Sequence, residues 1–200
     1  MGNILVADVK VRGTRTIWWH WFGPDAIPLE KKERIGVAGN NPEEWKRTVL
    51  FTNEGQLYIL NTYIFGCMKE AARYTKKGRG SIQKLVAATL QVQPETVLID
   101  RYIPGFDNGL PDTVPTDPML PVYLDIRGVV NPSTRGRNIR YRVAASPGWE
   151  MSFQLEWDAT IVSREQMNAV LIDAGNLVGV GSGRNIGRGR FEVVHFNINE

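Results

Sequence analysis

An α+β fold is predicted for this 200-residue sequence, and three observations predict it. Residues 151–161 alternate without a break, with Met151, Phe153, Leu155, Trp157, Ala159 and Ile161 facing one way and Ser152, Gln154, Glu156, Asp158 and Thr160 the other. That period of two marks a half-buried strand. Directly after it, Ser163 with Gln166 three residues on forms a capping box, and Met167, Val170, Leu171 and Ala174 follow at helical spacing. The opening, 4–22, is rich in β-branched and aromatic residues and reads as a long strand or a bent pair, with Gly13 as the bulge or turn.

The remaining elements follow in order. Residues 23–48 are punctuated by Gly23, Pro24, Pro28, Gly36, Gly39 and Pro42 and read as a long excursion. Asn61 or Thr62 can cap a helix to about Lys76, with Ile64, Cys67, Met68, Ala71 and Thr75 on one side and Gly78 as its end. Strands are expected at 84–92 and 96–103, then a proline- and glycine-rich loop over 104–120. Segments 121–130 and 138–145 alternate and suggest a hairpin around 131–137. The capped helix ends by Gly175, a glycine-rich loop follows, and 191–198 forms a terminal strand. Strand, helix, two strands, helix, strand is the split βαβ order of a ferredoxin-like (RRM-like) βαββαβ core. The chain is thus expected to be a single domain over 1–200, with the excursion at 23–48 and an inserted loop and hairpin at 104–147.

Composition narrows the function classes. A hydrophobic content of 42% with 22% charged residues is ordinary for a globular chain, and the formal net charge is +3. The arginines are unevenly placed, crowding into 127–142 and 184–190, and such clustering is the footprint of a phosphate-backbone binder. Cys67 is the one cysteine, so no disulfide within the chain and no cysteine-based zinc site can form; with His20 and His195 as the two histidines, a histidine-rich metal centre is excluded too. No cofactor is expected. No apolar run approaches the roughly 20 residues of a membrane span. The first residues lack a secretory core, and MGNILV has Val6 where a myristoylation signal wants Ser or Thr. A cytoplasmic location without a membrane partner is the expectation.

The loop GVGSGRNIGRGR at 179–190 is the best-marked functional element. Its glycines include Gly181, Gly183 and Gly187, and its arginines are Arg184, Arg188 and Arg190. Glycine lets the backbone come close to a ligand, and guanidinium forks pair with phosphate oxygens. A turn whose glycines merely satisfy positive φ angles is the alternative. A dinucleotide-binding loop would need a strand before the glycines and a helix after them; here the order is helix, glycines, strand, and the Walker lysine is absent.

The stretch 163–196, SREQMNAVLIDAGNLVGVGSGRNIGRGRFEVVHF, resembles the signature of the RAMP superfamily of CRISPR-associated proteins, in which the second helix of a ferredoxin-like scaffold runs through a glycine-rich loop into the last strand. The likeness is greatest to the backbone subunits that line guide RNA in effector complexes, and to small phage and plasmid relatives of them. The chain is short for such a subunit, and the loop lacks the aromatic residue often found before the last glycine. The resemblance implies a single-stranded RNA partner, with a single-stranded DNA target able to pair with it, copies of the chain side by side along the strand, and other effector subunits. It also implies a thumb that folds over the strand. Either the hairpin or the excursion, with Lys31, Lys32 and Arg34, fits that part.

The hairpin is itself basic. Arg127, Arg135, Arg137, Arg140 and Arg142 lie within sixteen residues, and a strand at 138–145 puts Arg140 and Arg142 on one face, with Arg127 across from them in one register. A solvated face paired with acids elsewhere is the alternative. His20, in the run WWHWF, is either a strand-end histidine packed among tryptophans or, as in the guide-RNA-processing endoribonucleases of the same superfamily, a general acid or base. His195 reads as structural. Trp18, Trp19 and Trp21 read as core or as base-stacking platforms. Asp100, Asp107, Asp112, Asp117 and Asp125 lack calcium-loop spacing and read as solvated loop residues. Some RAMP subunits cut target RNA with a lone loop aspartate, for which Asp25 and Asp107 are the candidates. Three functions therefore stand: a sequence-independent binder of guide RNA in antiviral defence, a metal-independent endoribonuclease using His20, and a phage or plasmid assembly protein on the same scaffold.

Overall fold

The computed structural model describes residues 3–24, 41–104, 110, 112–113 (backbone), 120–130 and 135–199. The strands are β1 (Ile4–Gly13), β2 (Ile17–Trp18), β3 (Gln56–Leu60), β4 (Lys76–Lys77), β5 (Gly80–Ser81), β6 (Gln91–Gln93), β7 (Thr96–Tyr102), β8 (Asp112–Thr113), β9 (Val122–Val130), β10 (Arg137–Ala145), β11 (Glu150–Asp158) and β12 (Phe191–Asn199). The helices are α1 (Glu44–Thr48), α2 (Asn61–Ala71), α3 (Gln83–Thr89) and α4 (Arg164–Asp173). The result is an α+β fold of mostly antiparallel sheets with few helices, compatible with a ferredoxin-like arrangement. Asp25, Lys31, Lys32, Arg34, Asp107 and Asp117, and the side chain of Asp112, lie outside the described residues.

The main sheet runs in the order β12-β1-β11-β7-β3, with β6 also paired to β11. β1 lies antiparallel between β11, in unbroken register from Ile4↔Asp158 to Arg12↔Glu150, and β12, where a bulge interrupts the pairing at Lys10/Val11. Alternation decides which face is buried. Ala7, Val9 and Val11 of β1 and Met151, Phe153, Leu155 and Trp157 of β11 are buried, while their polar alternates face outward. Helix α2 contributes Ile64, Cys67, Met68 and Ala71 to the same core, and α4 contributes Met167, Val170 and Leu171. These are the i, i+3, i+4, i+7 stripes of amphipathic helices. Burial pushes the Cys67 thiol up to about 12, so it sits in the core as a neutral apolar group.

The opening is a bent pair. The chain leaves β1 at Gly13, where the Trp149 ring packs so closely that a Cβ would lie 2.0 Å from its Cε2, and enters a second sheet of order β2-β10-β9-β8. The hairpin β9–β10 is antiparallel from Arg137↔Val130 to Ala145↔Val122, and β2 adds to its base through Ala144↔Trp18 and Ala145↔Ile17.

Strand β3 and helix α1 form where the sequence gives no expectation of either, and two expected elements take another form. Residues 83–89 form helix α3 rather than the first half of a strand over 84–92. Ile82, Val86 and Leu90, all buried, recur every fourth residue, and Ala87 and Ala88 favour the helix. Strand pairing is confined to Gln91–Gln93. Helix α2 ends at Ala71 rather than Lys76, because Lys76–Lys77 pairs with Gly80–Ser81 in a short hairpin turned at Gly78, φ 61°. Neither Asn61 nor Thr62 caps it; Leu60 holds that position, and the Asn61 amide donates to Val92 O at 2.8 Å.

The capping box on α4 is complete: Ser163 Oγ accepts from Gln166 N, and Gln166 Oε1 accepts from Ser163 N at 3.0 Å. Ser163→Ala is expected to lower stability by about 1 kcal/mol, read as an earlier midpoint in urea at unchanged slope.

Candidate nucleic-acid interface

The glycine loop is built on β2. After α4 the chain makes a π-helical turn, Ala174–Val178, and enters the loop at Gly179. Gly179, Gly181, Gly183, Gly187 and Gly189 all have φ between 67° and 83°, the left-handed region that glycine enters without steric cost. Val180 N donates to Gly189 O at 3.0 Å, Gly189 N to Thr16 O at 2.8 Å, and Ser182 N to Trp18 O at 2.9 Å. The loop is therefore strapped to Thr16 and Trp18. A Cβ on Gly189 would meet Val180 O at 1.7 Å, and one on Gly183 would meet Trp18 Cε3 at 2.7 Å. The close approach that glycine permits is made to Trp18 and to the loop's own backbone; a Cβ on Gly187 meets open space.

That packing puts Arg188 against the indole of Trp18, with its Cζ 4.5 Å from the ring centroid. Arg127 Cζ lies 5.2 Å and Arg142 Cζ 5.3 Å from the same centroid. Pairing explains the meeting. Trp18 is opposite Ala144, Arg142 is two residues before Ala144 and so shares its face, and Arg127 is directly across from Arg140 on that face. Trp18, Tyr123 and Ala144 form a small buried cluster beneath them. Each guanidinium over the ring is worth about 0.5–1 kcal/mol where exposed and about 2 where desolvated.

Acids neutralise part of this charge. Asp125, expected in a solvated loop, is instead buried in β9, across from Arg142 on the face that carries Trp18; both carboxylate oxygens accept from Arg127 Nε at 2.9 Å. Glu44 of α1 pairs with Arg140 and accepts from Tyr141 N at 3.2 Å, capping the edge of β10. Among the described residues, neither Arg142 nor Arg188 has an acidic partner within ion-pair distance. Two buried donors at the cluster, Trp18 Nε1 and Arg142 Nε, have no acceptor among the described residues.

The other loop arginines turn elsewhere. Arg184 pairs with Glu70 of α2 at 3.2 Å, and Arg190 donates to Asn176 O. Both line a polar concavity of about 500 Å³ with Glu70, Asn185 and Leu177. Arg135 and Arg137 are exposed near the tip of the β9–β10 hairpin, Arg135 with φ 53°. The structure thus brings Arg127, Arg142 and Arg188 together and leaves Arg184, Arg190, Arg135 and Arg137 apart from them.

The aromatic run divides. Trp18 and Trp19 are buried, Trp19 Nε1 donating to Tyr58 O at 2.8 Å, and Trp21 is partly buried. Neither Trp18 nor Trp19 is an exposed stacking face. His20 is half-buried beside the arginine cluster, with its Nδ1 unpaired among the described residues. Burial holds its pKa below the ordinary 6.5, the Arg142 and Arg140 charges add to that, and Glu44 opposes it. His195 is exposed on β12 opposite Lys10, and with Asp8 and Gln154 it lines a concavity of about 760 Å³ on the outer face of the main sheet. Asp100 lies in β7 rather than in a loop, pairs with Arg101 at 2.8 Å and accepts from Glu150 N. Glu44, Asp125 and the central role of Trp18 were not indicated by any local motif.

Among the described residues, no group of three or more His, Cys, Asp or Glu side chains is placed to hold a metal ion, and no helix is long and apolar enough to cross a membrane. No family model matches the chain, and no curated protein does. Among solved structures it is similar to a chain in the cryo-EM structure of the Type III-B Cmr-beta bound to cognate target RNA, at 11% identity and a TM-score of 0.49, covering 98% of this chain and 61% of that one. This chain spans less than two thirds of that chain's length.

His20 yields a pH prediction. A histidine whose folded pKa is lowered stabilises fully above the ordinary 6.5, and that contribution is lost as pH falls through the folded value. The urea midpoint of the wild type should fall on acidification below about pH 6.5, and His20→Gln should flatten that part of the profile; an identical profile in both proteins contradicts the assignment.

Proposed function

We propose that the chain binds single-stranded RNA without regard to sequence, and that copies of it line a guide RNA as repeating backbone subunits of a CRISPR-type ribonucleoprotein in antiviral defence. The observation that carries the reading is the collection of Arg127, Arg142 and Arg188, from three separate segments, around one tryptophan. Phosphate contacts of this kind give affinity and position, and carry no sequence information. Specificity for a target would come from base pairing by the held guide.

The strand order supports the finer fold reading, in which β1, α2, β6 with β7, β11, α4 and β12 are the βαββαβ core of one domain and β9–β10 is the inserted hairpin. In that reading Arg135, Arg137 and Arg140 track the strand away from Trp18 along the hairpin, as the thumb. Arg184, Arg190 and Gly187 hold it on the other side of the loop, which Gly181 and Gly183 close against Trp18. Lys31 and Lys32 add charge from the excursion. The partners are RNA, further copies of the chain and other effector subunits, in the cytoplasm.

A second reading, an endoribonuclease, is favoured by the place of His20. A neutral imidazole beside Arg142 and Arg140 could take a proton from a 2′-hydroxyl while guanidiniums hold the phosphate.

A salt-dependent titration with single-stranded RNA, single-stranded DNA and duplex RNA tests both. Each neutralised phosphate contributes about 0.7 to the log–log slope for a single strand, so the slope reports how many phosphates the chain contacts. Binding to RNA strands of unrelated sequence should agree within a few-fold and exceed that to duplex. His20→Ala should leave it unchanged, with intact RNA recovered from wild type. Absence of salt-dependent single-strand binding overturns the proposal. Cleavage by wild type that His20→Ala abolishes, with binding retained, establishes the enzyme instead.

A further inference from the structure

We infer that Arg142 and Arg188 close on one and the same phosphodiester, with Trp18 as the positioning residue that holds the two guanidiniums in place for it. The inference rests on the single-strand reading above and assigns a particular subsite within it.

Three observations carry it. The first is distance. The two guanidinium carbons are 5.3 and 4.5 Å from one ring centroid, so both ride on a single side chain. The second is charge. Arg127 is neutralised by buried Asp125 and Arg140 by Glu44, whereas Arg142 and Arg188 have no acidic partner among the described residues. Glu44 and Asp125 act on Arg142 only from beyond ion-pair distance, so the two cations around one ring still repel each other, and an anion bound by both offsets that repulsion. The third is unmet hydrogen-bonding capacity. Arg142 Nε and Trp18 Nε1 are buried donors with no acceptor among the described residues, and Trp18 is 2% exposed. Buried donors are nearly always paired, so orphans at a cationic cluster mark a place for an oxyanion.

A phosphodiester meets all three needs. It carries one negative charge and two non-bridging oxygens, each able to accept from a planar guanidinium fork. A carboxylate would meet the charge, and Glu44 shows the cluster accepting one, but on Arg140. Trp18 does not stack on a base in this arrangement, since its ring is already covered. Its part is to hold the forks. Their places come from two independent straps, the β2–β10 pairing for Arg142 and the bond from Ser182 N to Trp18 O for the loop bearing Arg188.

The test uses the full chain and a uridine dodecamer as probe. Salt slopes are measured for wild type, Arg142→Gln, Arg188→Gln and the double variant, glutamine being chosen to keep the packed stems. If both arginines serve one phosphate, the double variant loses about 0.7 from the slope; if they serve two, it loses about 1.4. In parallel, the indole N–H resonances of unmutated protein are followed on adding the dodecamer, which requires no variant to fold. Trp18 Nε1–H, which lacks an acceptor, should shift, while Trp19 Nε1–H, already bonded to Tyr58 O, serves as the internal control. A slope loss of about 0.7 with the Trp18 shift supports the subsite. A loss of about 1.4, no loss, or an unmoved Trp18 resonance at saturation overturns it while leaving strand binding intact. Failure of wild type to bind the dodecamer with any salt dependence overturns the underlying reading itself.

Discussion

The packing of Trp18 is the constraint on which the functional surface depends. One indole is the meeting point of β2, the β9–β10 hairpin and the glycine loop. Its backbone oxygen receives Ser182 N, and its ring excludes any Cβ from Gly183. Its faces carry the guanidiniums of Arg127, Arg142 and Arg188. Remove the ring and three segments that are distant in sequence lose their common reference. The glycines then acquire a concrete purpose. They let a tight loop close on itself and against Trp18, so that Arg188 arrives at a fixed place.

The two sheets divide the labour. The main sheet, with α2 and α4 sharing its core, supplies most of the buried apolar surface and hence most of the stability. The second sheet is small and carries charge on one face and core on the other. Val143, Leu124 and Ala145 point into the main core, while Arg142, Asp125 and Trp18 lie on the opposite side. A cationic face costs little here because cation–π contact and two acids offset part of the repulsion. Around Trp18, Arg142 and Arg188 are left without a direct acidic partner among the described residues.

Features carried by local pattern were legible in the sequence. The alternation of 151–161 and the Ser163–Gln166 box need no tertiary information, and both elements formed within a few residues of expectation. The hairpin followed from its alternation as well. Residues 83–89 are ambiguous in sequence because a short apolar run fits either period; the Ile82, Val86, Leu90 spacing is the signal for a helix. The end of helix α2 is not legible, because Gly78 serves a hairpin turn, which looks the same in sequence as a helix stop. Of the site, the arginine clusters were visible but their grouping was not. Whether Arg188 or Arg184 joins the hairpin arginines depends on how the loop closes on β2. That Asp125 and Glu44 spend their charge on Arg127 and Arg140 depends on strand register and on the placement of α1.

The claim that this face holds RNA is tested most directly by mapping where RNA touches the protein. A single-stranded RNA carrying 4-thiouridine, photocrosslinked to the unmodified chain and digested, reports the contacted peptides by mass. Crosslinks concentrated in 122–130, 137–145 and 179–190 are the predicted result. Crosslinks confined to the outer face of the main sheet, around Lys10, Gln154 and His195, would contradict it.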